Sequence, residues 1–468
     1  MQFDSFTFVV FFAAVLGVYN ALRGWSARKW FLLIASWVFY AAWNPLFLPL
    51  LIGSATLDYW VAQRIHVAAG AVRKRWIVLT LVANLGVLGI FKYHAFLLDN
   101  LAALLALIGV RYVPAPMDII LPIGISFYTF HSLSYCLDIY RGKFAPTRNW
   151  RDYALYVAFF PQLVAGPITR FTQMREQIEN PRQTTRDGLA WGCALLVLGL
   201  FEKCVLADTV FAPVADGFFN AVDGATAATA WSGTLAFSGQ IFCDFAGYST
   251  CAIGAALALG FVLPTNFRYP YAAIGFSDFW RRWHISLSTW LRDYLYVSLG
   301  GNRRGEWRTY VNLMLTMLIG GLWHGAAWTF VIWGGLHGLY LAVERLARER
   351  LWPKDVVAPA MLRFAYGLLT LLLVSLAWIW FRAADAGTAW QATTRLAAAS
   401  TAGPSTEQWL ALVAFAVVTA VHWLMRERDL KSVSERIPAP LLGALLGAML
   451  ALIVLSPGDN HAFIYFQF

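Results

Sequence analysis

The sequence predicts an all-α protein that crosses a membrane many times, and three features of its composition support this. Of the 468 residues, 59% are hydrophobic and 13% are charged, whereas charged residues make up about a quarter of a typical soluble chain. Apolar runs of about 17–25 residues, long enough to cross a bilayer core, recur along the chain. The 22 Trp and 19 Tyr residues suit membrane–water interfaces. We therefore expect a polytopic membrane protein with roughly eleven or twelve transmembrane helices.

Individual crossings are predicted from the apolar runs along the chain. No repeat of fixed period and no Pro/Ser-rich linker divides the chain, so we expect a single domain over residues 1–468. Its last transmembrane helix is predicted at 440–455 and is followed by a tail at 456–468. The crossings are predicted near residues 5–22, 30–43, 46–62, 76–97, 119–138, 189–205, 231–260, 361–381, 408–424 and 440–455.

The orientation is predicted from the basic residues, which lie mainly in short connectors. Such clustering is the positive-inside pattern, so the formal net charge of +10 reflects membrane topology. We accordingly expect membrane lipids as partners and no nucleic acid. Placing the connectors in the cytoplasm puts both termini on the outer, periplasmic side. The clusters are Arg23, Arg28 and Lys29; Arg64, Arg73, Lys74 and Arg75; Arg141, Lys143, Arg148 and Arg151; and Arg426, Arg428, Lys431 and Arg436.

Three other apolar segments have basic residues on both sides, and we expect them to enter the membrane without simply crossing it. They are "YALYVAFFPQLVAGPITRF", "ISLSTWLRDYLYVSLGG" and "NLMLTMLIGGLWHGAAWTFVIWGG". Irregular backbone at membrane depth is tolerated only beside protein or a water-filled cavity. The third segment fits either a re-entrant pair of helices, bent at its small residues, or one long tilted helix. Its small residues are Gly320, Gly321, Gly325, Ala326 and Ala327.

His324 lies at the centre of the third segment. No Asp, Glu, Lys or Arg occurs between Thr309 and Val343. The imidazole of His324 therefore lies in the middle of a segment without charged side chains. Ionisable groups inside a membrane are costly and mark functional sites. A structural hydrogen-bonding role remains the alternative. His337, on another face of an ideal helix, is expected to pack.

An arginine-rich block, "FWRRWHISLSTWLRDYLYVSLGGNRRG", precedes this segment. Arginine binds phosphate through two parallel hydrogen bonds, so the block is a candidate surface for an anionic, phosphate-bearing donor. A topology signal is the alternative interpretation. The candidate donor-binding residues are Arg281, Arg282, Trp283, Arg292, Arg303 and Arg304.

These two segments together strongly resemble the membrane-bound O-acyltransferase (MBOAT) family, in its bacterial branch of alginate and peptidoglycan O-acetyltransferases. "LPIGISFYTFHSLSYCLDIYRG" and "FFPQLVAGPITRF" resemble that branch too. The resemblance implies a ring of helices around a thin central wall that is reached from both membrane faces. It also implies that His324 is the family's catalytic histidine and that His284 occupies the second active-site position. Acetyl-CoA is then the expected acyl donor, and neither a bound cofactor nor a metal is expected.

The last residues, "SPGDNHAFIYFQF", resemble the tyrosine-bearing C-terminal motif of bacterial envelope-acylation systems. The resemblance implies that Tyr465 carries the acyl group in transit. An interfacial anchor for the final helix is the alternative, because Tyr and Phe favour that depth.

The expected function is thus a transmembrane O-acetyltransferase of the bacterial inner membrane that serves a cell-envelope or exported polysaccharide. His324 would be the general base, a role suited to histidine. The chain has no Gly-x-Ser-x-Gly motif, so a periplasmic SGNH-type acetyltransferase partner would complete the transfer. A transporter or flippase for an envelope precursor, a polytopic scaffold, and direct acyl transfer without Tyr465 remain the alternatives.

Overall fold

The computed structural model describes residues 1–115, 119–350, 359–399, 403–456 and 463–464. Every regular element in these ranges is a helix, and no β-strand occurs in them. The predicted all-α class is therefore confirmed.

The described residues form twenty-one α-helices, which alternate with short 3₁₀ and π-helical stretches. In chain order they are α1 (Phe6–Ala21), α2 (Trp25–Ala41), α3 (Leu48–Val67), α4 (Gly70–Leu88), α5 (His94–Leu107), α6 (Ile125–Tyr140), α7 (Trp150–Ala158), α8 (Phe160–Leu163), α9 (Phe171–Glu179), α10 (Arg186–Leu200), α11 (Ala212–Phe219), α12 (Ala227–Ala258), α13 (Phe276–Arg282), α14 (Ile285–Trp290), α15 (Glu306–His324), α16 (Trp328–Arg350), α17 (Ala360–Arg382), α18 (Ala386–Arg395), α19 (Thr406–Met425), α20 (Leu430–Ser434) and α21 (Ala439–Leu455).

Six helical segments in the described part of the chain are long and apolar enough to cross a membrane by length and composition. This agrees with a polytopic membrane protein, while the number of eleven or twelve crossings stays a prediction. Two shorter apolar helices, α1 and α21, fall on the first and last predicted crossings. The six segments are Pro45–Val67, Gly70–Leu107, Arg186–Phe219, Ala227–Ala258, Ala360–Arg382 and Thr406–Met425.

The chain divides into two compact units, and the prediction of a single domain is not tested by this division. The first unit comprises Met1–Cys193 and Ala252–Pro264. Within it, the buried Lys29 Nζ lies 2.8 Å from an Asp152 carboxylate oxygen. The segment "YALYVAFFPQLVAGPITRF" forms only the short helices α7 and α8 before α9 begins. At about 1.5 Å per residue, neither α7 nor α8 is long enough to cross a bilayer.

The second unit comprises Ala194–Cys251 and Thr265–Phe468, and it contains all the described candidate site residues. Its core is built around three fully buried tryptophans on or beside α13, α16 and α17. The Trp378 ring centroid lies 4.9 Å from that of Trp283 and 5.5 Å from that of Trp333. Aromatic pairs at these separations stabilise packing beyond simple burial. Trp283 directly precedes His284, and Trp333 lies on α16, the helix that follows His324. The core therefore includes residues close in sequence to both histidines.

The segment that contains His324 forms two helices and not one long helix. α15 ends at His324 and α16 begins at Trp328. The bend lies at residues 325–327, which are Gly325, Ala326 and Ala327, three of the five small residues at which a bend was predicted. Gly320 and Gly321, by contrast, remain helical within α15.

Glycines allow α15 and α16 to pack closely as an antiparallel hairpin. A Cβ on Gly321 would overlap the carbonyl oxygen of Phe330, and one on Gly334 would overlap the carbonyl oxygen of Met317. Glycine removes the side-chain volume that would otherwise separate the two backbones, as small residues do between membrane helices. The hairpin thereby holds His324 at its turn.

Candidate active site

His324 is the last residue of α15 and lies against aromatic rings. Only 3% of its surface is exposed. Its ring centroid lies 4.9 Å from that of Trp323, 5.1 Å from Trp333 and 5.4 Å from Phe381. These rings exclude water from most of the imidazole. A proton acceptor in such a pocket interacts with a reacting group without competition from bulk solvent.

His284 lies between α13 and α14 in an unusual backbone conformation. Its φ and ψ are 42° and 53°, in the left-handed region, which non-glycine residues rarely occupy. His284 and Tyr269 are the two non-glycine residues with positive φ in the described chain. Strained backbone of this kind persists where the surrounding structure enforces it and clusters at functional sites. The imidazole on this strained backbone is fully buried and lies beside that of His324.

Asn266 determines which nitrogen of His284 carries the proton. The Asn266 side-chain oxygen accepts hydrogen bonds from the Ser286 backbone N–H at 3.2 Å and from the Ser286 hydroxyl at 2.8 Å. A backbone N–H only donates, so this atom is the amide oxygen. His284 Nδ1 lies 3.1 Å from the same oxygen and must therefore donate to it. In neutral His284, Nε2 is left as the acceptor, and it has no hydrogen-bond partner within the described residues.

The structure brings the two predicted histidines together. The ring centroids of His284 and His324 are 6.5 Å apart. Trp323 lies beside both rings, 6.1 Å from His284 and 4.9 Å from His324. Phe245 of α12 packs edge-on against His284 at 4.6 Å. This arrangement, termed here the histidine pocket, consists of two buried imidazoles packed side by side among aromatic rings, and paired imidazoles suit proton transfer to and from a hydroxyl.

The six candidate donor-binding residues do not share one environment. Arg281, Arg292, Arg303 and Arg304 are exposed. Arg292 pairs with Asp293 at 2.7 Å. Trp283 is fully buried and belongs to the core of the second unit.

Arg282 is buried and is held by other protein groups. Its guanidinium contacts Asp278 at 3.0 Å and donates to the Arg426 carbonyl oxygen at 3.0 Å. Burial by itself would raise the pKa of Asp278, but hydrogen bonds from the Ile274 N–H, Arg426 and Arg282 outweigh it and lower that pKa. This network joins α13 to the end of α19. Arg282, which the sequence offered as a candidate donor-binding residue, therefore contributes to the packing of these two helices.

Tyr465 lies outside the described residues, but its two predecessors are described. Phe463 and Ile464 are 1% and 3% exposed. The Phe463 ring lies 5.7 Å from Phe245 and 4.7 Å from Tyr248, both on α12. Phe245 also contacts His284. This part of the tail therefore packs in the interior of the unit that holds the histidine pair, which does not suit a purely interfacial anchor.

Sequence reasoning missed three polar residues that the structure brings near this pocket: Asn266, Lys203 and Asp244. Asn266 lies in a proline-flanked loop, where an asparagine is ordinary, so no sequence signal marks it. Lys203 and Asp244, however, each interrupt a long apolar segment. A charge at such a position is a signal of function, and it could have identified both residues.

The fold and site define an all-helical membrane protein with a buried histidine pair beside the turn of a helical hairpin. The family model of the membrane-bound O-acyltransferases matches residues 147–353 of the chain. Over 394 residues the chain is 46% identical to the probable alginate O-acetylase AlgI of Azotobacter vinelandii, which covers 84% of this chain and 77% of that protein. The chain therefore belongs to the membrane-bound O-acyltransferase family, and it is a membrane-bound acyltransferase.

Two other relatives carry different acceptor names. The peptidoglycan O-acetyltransferase of Helicobacter pylori is 40% identical over 382 residues, which cover 76% of this chain and 71% of that protein. The teichoic acid D-alanyltransferase of Lacticaseibacillus rhamnosus is 29% identical over 236 residues, or 47% of this chain and 58% of that protein. The resemblance inferred from the sequence motifs is confirmed at the level of the family.

Proposed function

We propose that the protein moves an acetyl group from cytoplasmic acetyl-CoA across the bacterial inner membrane for O-acetylation of an exported or cell-envelope polysaccharide. The observation that carries this proposal is the pairing of the buried His284 and His324 rings among aromatic side chains. The names of the relatives, which refer to alginate and peptidoglycan O-acetylation, support the acyl group and the acceptor class.

In the proposed reaction His324 is the general base. It takes the proton of an attacking hydroxyl, and the oxygen forms a bond to the acetyl carbonyl carbon of the thioester. The carbon–sulfur bond breaks, and the CoA thiolate receives the proton from His324. His284, with Nε2 as an acceptor, orients the hydroxyl or His324 during this transfer. Positioned proton transfer of this kind contributes about 10²–10⁴-fold to a rate.

The attacking hydroxyl is proposed to be the Tyr465 phenol. An ordinary phenol has a pKa near 10, so it needs a positioned base to attack at neutral pH. The aryl ester that forms remains a good acyl donor. A periplasmic SGNH-type acetyltransferase then moves the acetyl group from Tyr465 to the polysaccharide. This order requires the tail at 456–468 to lie on the periplasmic side. The N-terminus is proposed to lie there too, and residues 1–468 are proposed to form a single domain.

The four exposed arginines are proposed to attract the phosphates of the donor. Arg281, Arg292, Arg303 and Arg304 are accessible and offer the paired donors that phosphate favours. Arg282 and Trp283 are proposed to act indirectly, by holding the backbone that ends at His284. No resident cofactor is proposed, since the acyl donor itself is the activated group.

Peptide mass spectrometry tests this proposal. Purified protein is incubated with isotope-labelled acetyl-CoA, and the C-terminal peptide is examined for label, with His324→Ala and Tyr465→Phe variants in parallel. The proposal predicts label on Tyr465 in the wild type and none in either variant. Label on no peptide, while His324 remains essential for polymer acetylation in cells, would contradict the relay and favour direct transfer.

A further inference from the structure

A buried cluster of three charged residues lies in the second unit, outside the histidine pocket. Lys203 Nζ is 2.9 Å from an Asp208 carboxylate oxygen and 2.5 Å from Oδ1 of Asp244. The three side chains are 3%, 8% and 3% exposed, in the order Lys203, Asp208 and Asp244. Lys203 and Asp208 belong to the π-helical stretch Phe201–Phe211, and Asp244 is in α12.

Packing alone does not account for this cluster. Burying charges is costly, and well-packed apolar residues of similar volume are often as stabilising or more so. One carboxylate is enough to pair with Lys203, and Asp208 already supplies it. Asp244 therefore adds a second negative charge that helix packing does not require. Charged groups in this setting are typically functional.

Asp244 also holds the C-terminal tail. Its second carboxylate oxygen, Oδ2, accepts a hydrogen bond from the backbone N–H of Ile464 at 2.9 Å. A hydrogen bond to a carboxylate is roughly twice as strong as one between neutral groups. The donor belongs to the main chain, so the bond holds the backbone of the tail at Ile464 without depending on that residue's side chain.

Aromatic packing fixes the same segment of the tail from another side. Phe463 packs against Phe245 and Tyr248, which lie one and four residues after Asp244 on α12, and Ile464 joins the apolar core. Phe245 contacts His284 at 4.6 Å as well. The anchor of the tail and the histidine pocket therefore share one aromatic ring.

We propose that Asp244, paired with Lys203, is the receptor for the C-terminal tail and sets the register in which Tyr465 is presented to the histidine pair. Asp244 is thus a positioning residue, because it acts through the tail and not on the reacting atoms. The anchoring itself is independent of the proposed function, whereas the consequence for Tyr465 rests on it.

Substitution of the two aspartates separates tail binding from pairing with Lys203. Asp244→Leu removes the acceptor for the Ile464 N–H and leaves a neutral Lys203–Asp208 pair. Asp208→Leu is the matched control, because it leaves a neutral Lys203–Asp244 pair with the tail contact intact. Asp244→Asn keeps an oxygen that accepts the Ile464 N–H and serves as the conservative variant.

The first readout is digestion of the folded, detergent-solubilised protein by carboxypeptidase, followed by intact-mass measurement. We expect removal of residues beyond Ile464 to be at least tenfold faster in Asp244→Leu than in wild type. Asp208→Leu should resemble wild type, and Asp244→Asn should lie between them. Equal protection of the tail from carboxypeptidase in Asp244→Leu and wild type would overturn the anchor. Thermal unfolding transitions establish that both proteins are folded.

The second readout is transfer of labelled acetyl groups to the C-terminal peptide. We expect at least a tenfold loss in Asp244→Leu and little change in Asp208→Leu. A tail that is released in Asp244→Leu but still labelled at the wild-type rate would overturn the positioning role. Failure of the proposed function has a different result, since wild-type protein itself would then carry no label while the digestion pattern still tests the anchor.

Discussion

The imidazole rings of His284 and His324 lie with their centroids 6.5 Å apart and their planes inclined by 61°. One ring is held at the turn of the α15–α16 hairpin, and the other is held by a left-handed backbone before α14. Neither element alone would build the site. The pairing of two imidazoles among aromatic rings is the observation on which the proposed acyl-transfer step rests.

Replacement of His324 tests its role as the base. We expect His324→Ala to lower acetyl transfer by at least about 10², the contribution of a positioned general base. His337→Phe is the control, because His337 is equally buried and packs against Trp280 and Trp333. Acetyl content of the polymer in cells and CoA release in vitro measure the effect. Equal losses in both variants would assign His324 a packing role.

Asn266 is predicted to act through the tautomer of His284. Asn266→Leu removes the acceptor for His284 Nδ1, so Nε2 is no longer fixed as the acceptor. We expect kcat to fall by about tenfold or more, with KM for acetyl-CoA unchanged, since catalysis depends on the correct tautomer. Asn266→Asp keeps the acceptor oxygens and should restore most of the rate. A change in KM alone would contradict this role.

Close packing of the hairpin is predicted to be essential for its stability. Gly334→Ala places a Cβ against the Met317 carbonyl oxygen, whereas the same change at Gly335 meets Leu318 Cδ2 at 3.5 Å, an ordinary contact. We expect Gly334→Ala to lower the free energy of unfolding by about 1–3 kcal/mol, the usual range for overpacking, and to lower Tm. Gly335→Ala should change Tm little. Equal Tm values for the two variants would contradict the packing described.

The exposed and buried arginines are predicted to behave differently. Arg303→Gln combined with Arg304→Gln should raise KM for acetyl-CoA by about tenfold, because two charge-assisted phosphate contacts are lost, and should leave Tm unchanged. Arg282→Gln should instead lower Tm, since it leaves Asp278 without one of its partners. Steady-state kinetics and thermal unfolding in the same detergent distinguish the two effects. An unchanged KM in the double variant would remove these arginines from the donor site.

Asp278 is predicted to make the protein less stable in acid. Its pKa is lowered in the folded state, so its contribution to stability is present above the ordinary carboxyl pKa of about 4 and is lost as the pH falls through the folded value. Asp278→Asn should lower Tm at pH 7 and should flatten the dependence of Tm on pH below about 4. An unaltered pH dependence in this variant would contradict the assignment.

Much of the fold was predictable from the sequence, because a membrane imposes a simple pattern. Long apolar runs predict helices able to span a bilayer, and six such helices are present in the described residues, while the depth of His324 in the membrane stays a prediction. The sequence could not show, however, that Gly320 and Gly321 are helical and lie outside the bend. Their role depends on what packs against α15, which is a tertiary contact that the sequence does not display.

The site was predictable only in part, for the same physical reason. His324 was predicted from its place in an uncharged apolar segment and from the family resemblance, and His284 from the resemblance alone; the structure places their two rings side by side. Arg282, by contrast, looks like its exposed neighbours, and its burial depends on Asp278 and the distant Arg426. Asp244 could have been noticed as a charge in an apolar helix, but its contact with Ile464 joins residues that are 220 positions apart in the chain.

The most direct test of the central claim is a single-turnover measurement of CoA release by the purified protein without a partner. If His324 drives transfer from acetyl-CoA to Tyr465, wild-type protein releases a burst of up to about one CoA per chain, because each chain holds one acceptor phenol. His324→Ala and Tyr465→Phe should both lack this burst. A burst of wild-type size in His324→Ala would contradict the account.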